Sequence, residues 1–283
     1  MDVKNLSTIG RPVDIHYFTN RIITLLMGLI FIIMFFREFL KETPLIESLI
    51  FAVIYSLSVF VCWALSRELD PEYDYSAFIG IIFLFLPFFM INGMNLFFIL
   101  WLLFSLRMIN RTTGRPAGIV DIIFYLILTV LFSYILYPFI AVLAAIAFIF
   151  DLWYSERKNI NILLIIVLFL IFIISTFYGS GDLYNFFNLS NNQLIFSSIS
   201  ILFMFYVIAT TTTMNTLCDT GDKKINARQV QAAQIFAVFT VLSFIFLYGE
   251  IGFSIVYIVL SSFLGISLYR VGRMIKNLFH SSL

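Results

Sequence analysis

The fold class predicted by the sequence is all-α: a polytopic integral membrane protein of about ten transmembrane helices with cytoplasmic N- and C-termini. Three observations predict it. The 283 residues are 61% hydrophobic and 12% charged, with a mean hydropathy of +1.03, a balance no soluble fold could bury. Charge is absent from 22–36, 48–66, 76–106, 160–181 and 191–218, and most of these runs suffice for one or two bilayer passes. Of the seventeen lysines and arginines, all but Arg37 and Lys41 fall on one side of the resulting topology, which the positive-inside rule makes cytoplasmic.

Taken in order, the apolar runs and the turn residues dividing them predict helices at 20–36, 45–66, 75–91, 93–109, 119–135, 137–153, 160–178, 192–214, 229–248 and 251–272. Asn92-Gly93 separates the third from the fourth, Tyr137-Pro138 the fifth from the sixth, and Gly249-Glu250-Ile251-Gly252 the ninth from the tenth. An even number of spans returns both termini to the basic side. The expected division is therefore a cytoplasmic N-terminal segment 1–19, a single transmembrane domain 20–272 and a cytoplasmic tail 273–283, in a cell membrane. About twenty mostly polar residues precede the first apolar run, so removal of a secretory leader is not expected. Cys62 and Cys218 lie inside or at the end of spans and indicate no disulfide framework. A net charge of +1 argues against nucleic acid as a partner. Membrane lipids are the expected surroundings.

Charge concentrates in the cytoplasmic loops. In "SRELDPEYDY" (66–75), Asp70 before Pro71 has the form of an N-cap, with Glu72 and Asp74 in a first turn where the helix dipole favours acids. The same Asp70 and Asp74 are candidate metal ligands, because hard divalent cations take carboxylate oxygens and share them with substrate phosphates. A second acidic stretch, "NTLCDTGDKKINAR", supplies Asp219 and Asp222. With Asn215 they would share one face of a continuing helix, unless Gly221 ends it and leaves Asp222 in a solvated turn. Arg107, Arg111 and Arg115, four apart, form a candidate phosphate-binding stripe, or ordinary positive-inside charge. Asp121, just inside the fifth span, needs a partner, and an arginine of the stripe is nearest in sequence. His16 and His280 lie near the two ends, with no zinc-like cluster beside them.

Ser66, Asp70 and Asp74 resemble the Asn-x-x-x-Asp-x-x-x-Asp motif of the UbiA-type intramembrane prenyltransferases, and "NTLCDTGD" is similar to a shortened second motif. The likeness implies acidic loops holding magnesium on a prenyl diphosphate. Serine replaces the asparagine, the second pair is Asp-x-x-Asp, and more spans separate the motifs than in that family, so the likeness covers about twenty loop residues and no membership follows.

The leading expectation is a protein acting at the cytoplasmic face on a phosphorylated lipid of the prenyl or polyprenyl phosphate class. Asp70, Asp74, Asp219 and Asp222 would hold Mg²⁺, and Arg107, Arg111 and Arg115 the phosphate. As an enzyme it would be a Mg-dependent lipid-phosphate or prenyl-group transferase. The alternatives are a membrane transporter, or a scaffold or assembly subunit with no site of its own. Few ionisable groups and few Gly or Pro interrupt the spans, which weighs against transport.

Overall fold

The computed structural model describes residues 7–11, 14–86, 95–154, 158–179 and 186–281. Regular structure among them is helical: α1 (Phe18–Phe39), α2 (Leu45–Leu69), α3 (Ser76–Leu84), α4 (Leu96–Asn110), α5 (Ile119–Ile135), α6 (Phe139–Leu152), α7 (Lys158–Tyr178), α8 (Asn191–Thr210) and α9 (Ala227–Ser281). Five of these, α1, α2, α7, α8 and α9, are long and apolar enough to cross a membrane, while α4, α5 and α6 are shorter apolar helices. Large apolar side chains point outward along them, Leu25 at 75% exposure and Leu163 at 60% among many. In water so much outward apolar surface would drive aggregation, whereas lipid tails solvate it. The chain has the construction of a membrane protein.

Helix ends follow the sequence closely at most positions, and α9 breaks where the Gly-rich turn predicts. Gly249 takes φ 54, ψ −126, outside the helical region. A Cβ on Gly252 would meet the Phe244 carbonyl at 2.0 Å, so the backbone bends back sharply at this point. Three expectations are corrected. Asp70 does not cap the third helix; it closes α2, with its N–H bonded to the Ser66 carbonyl at 2.9 Å, and α3 begins only at Ser76 after a turn. The eighth helix ends at Thr210, so Asn215, Asp219 and Asp222 share no helical face. They lie instead in a hairpin-like turn, where Cys218 N–H bonds Lys223 O at 2.8 Å and Gly221 holds φ 75. The third correction, the partner of Asp121, belongs to the candidate site. The Asn92-Gly93 turn lies outside the described residues.

The chain divides into two compact units. The first comprises 1–11, 100–189 and 208–252. Its interior is aromatic: Trp101 stacks on Tyr125 at 5.8 Å and donates to Thr129 Oγ1 at 2.9 Å, and Tyr125 shares a 2.9 Å hydrogen bond with Ser105. The polar tips of Trp101 and Tyr125 thus both find partners in this interior. Tyr137 packs edge-on to Phe244 and Tyr248 in the same unit.

The second unit comprises 12–99, 190–207 and 253–283. In it α2 packs between α1 and α3, with Ser56 Oγ donating to the Met27 carbonyl at 3.0 Å. The second arm of α9 meets α3 at Gly80 and Gly265, where a Cβ on Gly265 would stand 2.2 Å from the Gly80 nitrogen. Such backbone approach without side chains is how membrane helices gain van der Waals contact. Tyr257 Oη donates to the Phe83 carbonyl at 2.7 Å alongside it.

Candidate functional site

In the second unit the charged residues gather around the turn between α2 and α3. Asp70 is fully buried and faces Arg270 on α9, itself 9% exposed. The guanidinium donates through Nη2 to Oδ1 at 2.7 Å and through Nε to Oδ2 at 3.2 Å, a two-pronged grip that suits a carboxylate. Arg270 Nη1 also reaches the Val207 carbonyl at 3.4 Å. Burial pushes the Asp70 carboxyl up from its ordinary value, and the hydrogen bonds and charge of Arg270 pull it back. Asp74, more exposed, pairs with Arg67. The Tyr73 ring lies under two guanidinium groups, at 5.5 Å from Arg270 and 4.5 Å from Arg273, and packs against Tyr269.

In the first unit the hairpin after α8 brings Asp219 to Arg11, Nε to Oδ2 2.6 Å, and its N–H to the Thr112 carbonyl at 3.2 Å. Burial raises the Cys218 thiol beside it above its ordinary value. Asp222 is exposed at the turn. The arginine stripe does not act as a unit. Arg107 donates to the Ile9 carbonyl at 3.3 Å, and Arg115 is exposed. Arg111, the residue after α4, has φ 50 and sends its guanidinium to Asp151 at 2.6 Å and the Tyr154 carbonyl at 2.9 Å. Asn161 completes that cluster by donating to the other Asp151 oxygen at 2.9 Å.

Asp121 has no arginine partner of the expected kind. Ser7 Oγ lies 2.5 Å from Oδ1, while Thr8 N–H and Thr8 Oγ1 reach Oδ2 at 2.8 and 2.7 Å. Gly118 N–H adds a bond of 3.1 Å at the start of α5. Gly118 donates from the chain just before the helix, whereas Ser7 and Thr8 reach the carboxylate from a segment more than 110 residues away, and together they satisfy both oxygens.

Asp70 and Asp74 thus share one turn of the second unit, and Asp219 and Asp222 one hairpin of the first, with three of the four held by arginines. Within either unit, among the described residues, no three His, Cys, Asp or Glu side chains gather as a cation site would. Nothing in the sequence singles out Arg270, Tyr73, Ser7 or Thr8 as partners. A buried acid requires a counter-charge, but sequence distance says nothing of which one. No protein-family model, curated protein or solved structure matches the chain.

Proposed function

We propose that the protein crosses the membrane ten times, with both termini and the longer charged loops cytoplasmic, and acts at that face on a phosphorylated lipid of the prenyl or polyprenyl phosphate class together with Mg²⁺. The observation that carries the functional part is the interleaving of acids and arginines: Asp70 with Arg270, Asp74 with Arg67 and Asp219 with Arg11. An arriving phosphate–cation pair can exchange partners with such ion pairs, guanidinium to phosphate and carboxylate to metal, at no change in total charge. Asp74 and Asp219, with side chains 50% and 51% exposed, are the acids within reach of such an exchange. The cation would polarise the phosphate and stabilise a leaving group.

The test is binding of a labelled polyprenyl phosphate to purified protein, with and without Mg²⁺. Binding that needs the metal and falls on Asp74→Asn and Asp219→Asn is the expected result. Binding that ignores both overturns the reading in favour of a scaffold, whose ion pairs need do nothing beyond holding loops together.

A further inference from the structure

The second arm of α9 carries a groove that none of the candidate acids enters. Leu268, Gly272 and Lys276 follow one another four apart along one row of the helix, and Tyr269, Arg273 and Asn277 along the next. Between them and Ile79 of α3 lies an open groove of about 650 Å³. At Gly272 the groove is open, since a Cβ there would find no atom within 4 Å.

Charge in the groove is uncompensated. Arg270, one turn earlier, is neutralised by Asp70. Arg273 instead lies over the Tyr73 ring at 4.5 Å, a contact that orients the guanidinium while leaving its positive charge and donors available. Neither Arg273 nor Lys276 has a carboxylate at ion-pair distance among the described residues. The groove also has a direction. Its apolar wall, Ile79 and Leu268, precedes its cations by one to two turns of α9, roughly 8–12 Å of rise. An acyl chain followed by a phosphate runs in that order across the edge of a bilayer.

We infer that this groove binds an anionic glycerophospholipid of the surrounding leaflet, with its phosphate on Arg273 and Lys276 and the start of an acyl chain along Leu268 and Ile79. It uses neither the acids nor the metal of the preceding proposal. Solvated basic residues at a helix end would also favour anionic lipid, but would offer no apolar-walled groove that a single side chain could obstruct.

The experiment uses full-length protein exchanged into micelles containing phosphatidylglycerol or phosphatidylcholine, in EDTA and without any prenyl phosphate, with retained lipid counted by native mass spectrometry. Phosphatidylglycerol should be retained over phosphatidylcholine. Arg273→Gln with Lys276→Gln should lower that occupancy roughly tenfold or more. Gly272→Phe should do the same with both cations intact, whereas Lys223→Gln with Arg228→Gln should not. Millimolar inorganic phosphate should leave the lipid in place. Equal retention of the two lipids, displacement by inorganic phosphate, or an unaffected double variant would each overturn the inference. Should Gly272→Phe fail to fold, the double variant decides alone. Because EDTA excludes the metal, failure here leaves the metal–phosphate proposal standing, and the reverse holds too.

Discussion

Asp70 and Arg270 are the two most deeply buried charges whose partners are each other, and their worth lies in being kept together. Removing one leaves the other buried without its two-pronged partner, at a cost of about 3–5 kcal/mol. Asp70→Ala should therefore lower the melting temperature of the detergent-solubilised protein sharply. Asp70→Leu combined with Arg270→Met should recover most of that loss, since an apolar pair of similar volume has no desolvation cost. A double variant as unstable as Asp70→Ala would mean that Arg270 matters for something besides the pair, such as its bond to Val207 O. Ser66, one turn before Asp70, presents the opposite case. Its hydroxyl is buried with no hydrogen-bond partner among the described residues. Ser66→Ala should be neutral or stabilising by up to about 1 kcal/mol, because it deletes an unsatisfied group. If it instead abolishes binding of a polyprenyl phosphate without unfolding the protein, the hydroxyl serves the ligand.

The element that the local chemistry controls most directly is the start of α5. Asp121 sits in its first turn and gathers the orphan N–H of Gly118 together with Ser7 and Thr8, so one carboxylate both caps a helix and pins the segment 7–11. Asp121→Ala should destabilise the protein by about 1–3 kcal/mol and open the bonds around Thr8 to protease, read as a new early cleavage N-terminal to α1. Thr8→Ala, which leaves Ser7 and the backbone donors in place, should do less. If both variants cut at the wild-type rate, the segment is held by other contacts. Helix positions were legible in the sequence because long apolar runs and Gly-rich turns are strong local signals, as the break at Gly249 illustrates. Asp70-Pro71 was misread because the same dipeptide suits both the end of one helix and the start of the next, and the choice was made by a guanidinium 200 residues away. The hairpin at 216–225 was half legible: Gly221 marked the turn, but nothing local fixed Cys218 against Lys223. Individual acids and arginines of the candidate site could be named from sequence, whereas their pairing rests on tertiary contacts that sequence spacing does not encode.

On the scale of the whole chain, the proposed topology rests on the distribution of lysine and arginine. The two basic residues that the proposed topology places on the outer side, Arg37 and Lys41, both lie beside Glu38, at 3.6 and 3.0 Å, so that side would carry little net positive charge. The other fifteen are spread over the segments proposed to be cytoplasmic. Parity then becomes the sharpest test. If α9 crossed once together with the other four long helices, five passes would put the two ends of the chain in opposite compartments; ten crossings, with α9 contributing two passes about Gly249, return them to the same one. Single cysteines at Asp14, Asn188, Lys223 and Ser282, in a background with Cys62→Ala and Cys218→Ala, separate these cases. An impermeant thiol reagent applied to intact cells should label only Asn188→Cys, and the other three should react only after permeabilisation. The two background substitutions leave little to repair, since both cysteines are buried and unpaired as thiols. Labelling of Asp14→Cys and Ser282→Cys from opposite sides would reduce the crossings to an odd number. If Ser282→Cys is the one labelled in intact cells, Arg270 and the groove beside it face the other leaflet, and the preference for phosphatidylglycerol would have to be sought in that leaflet's lipids.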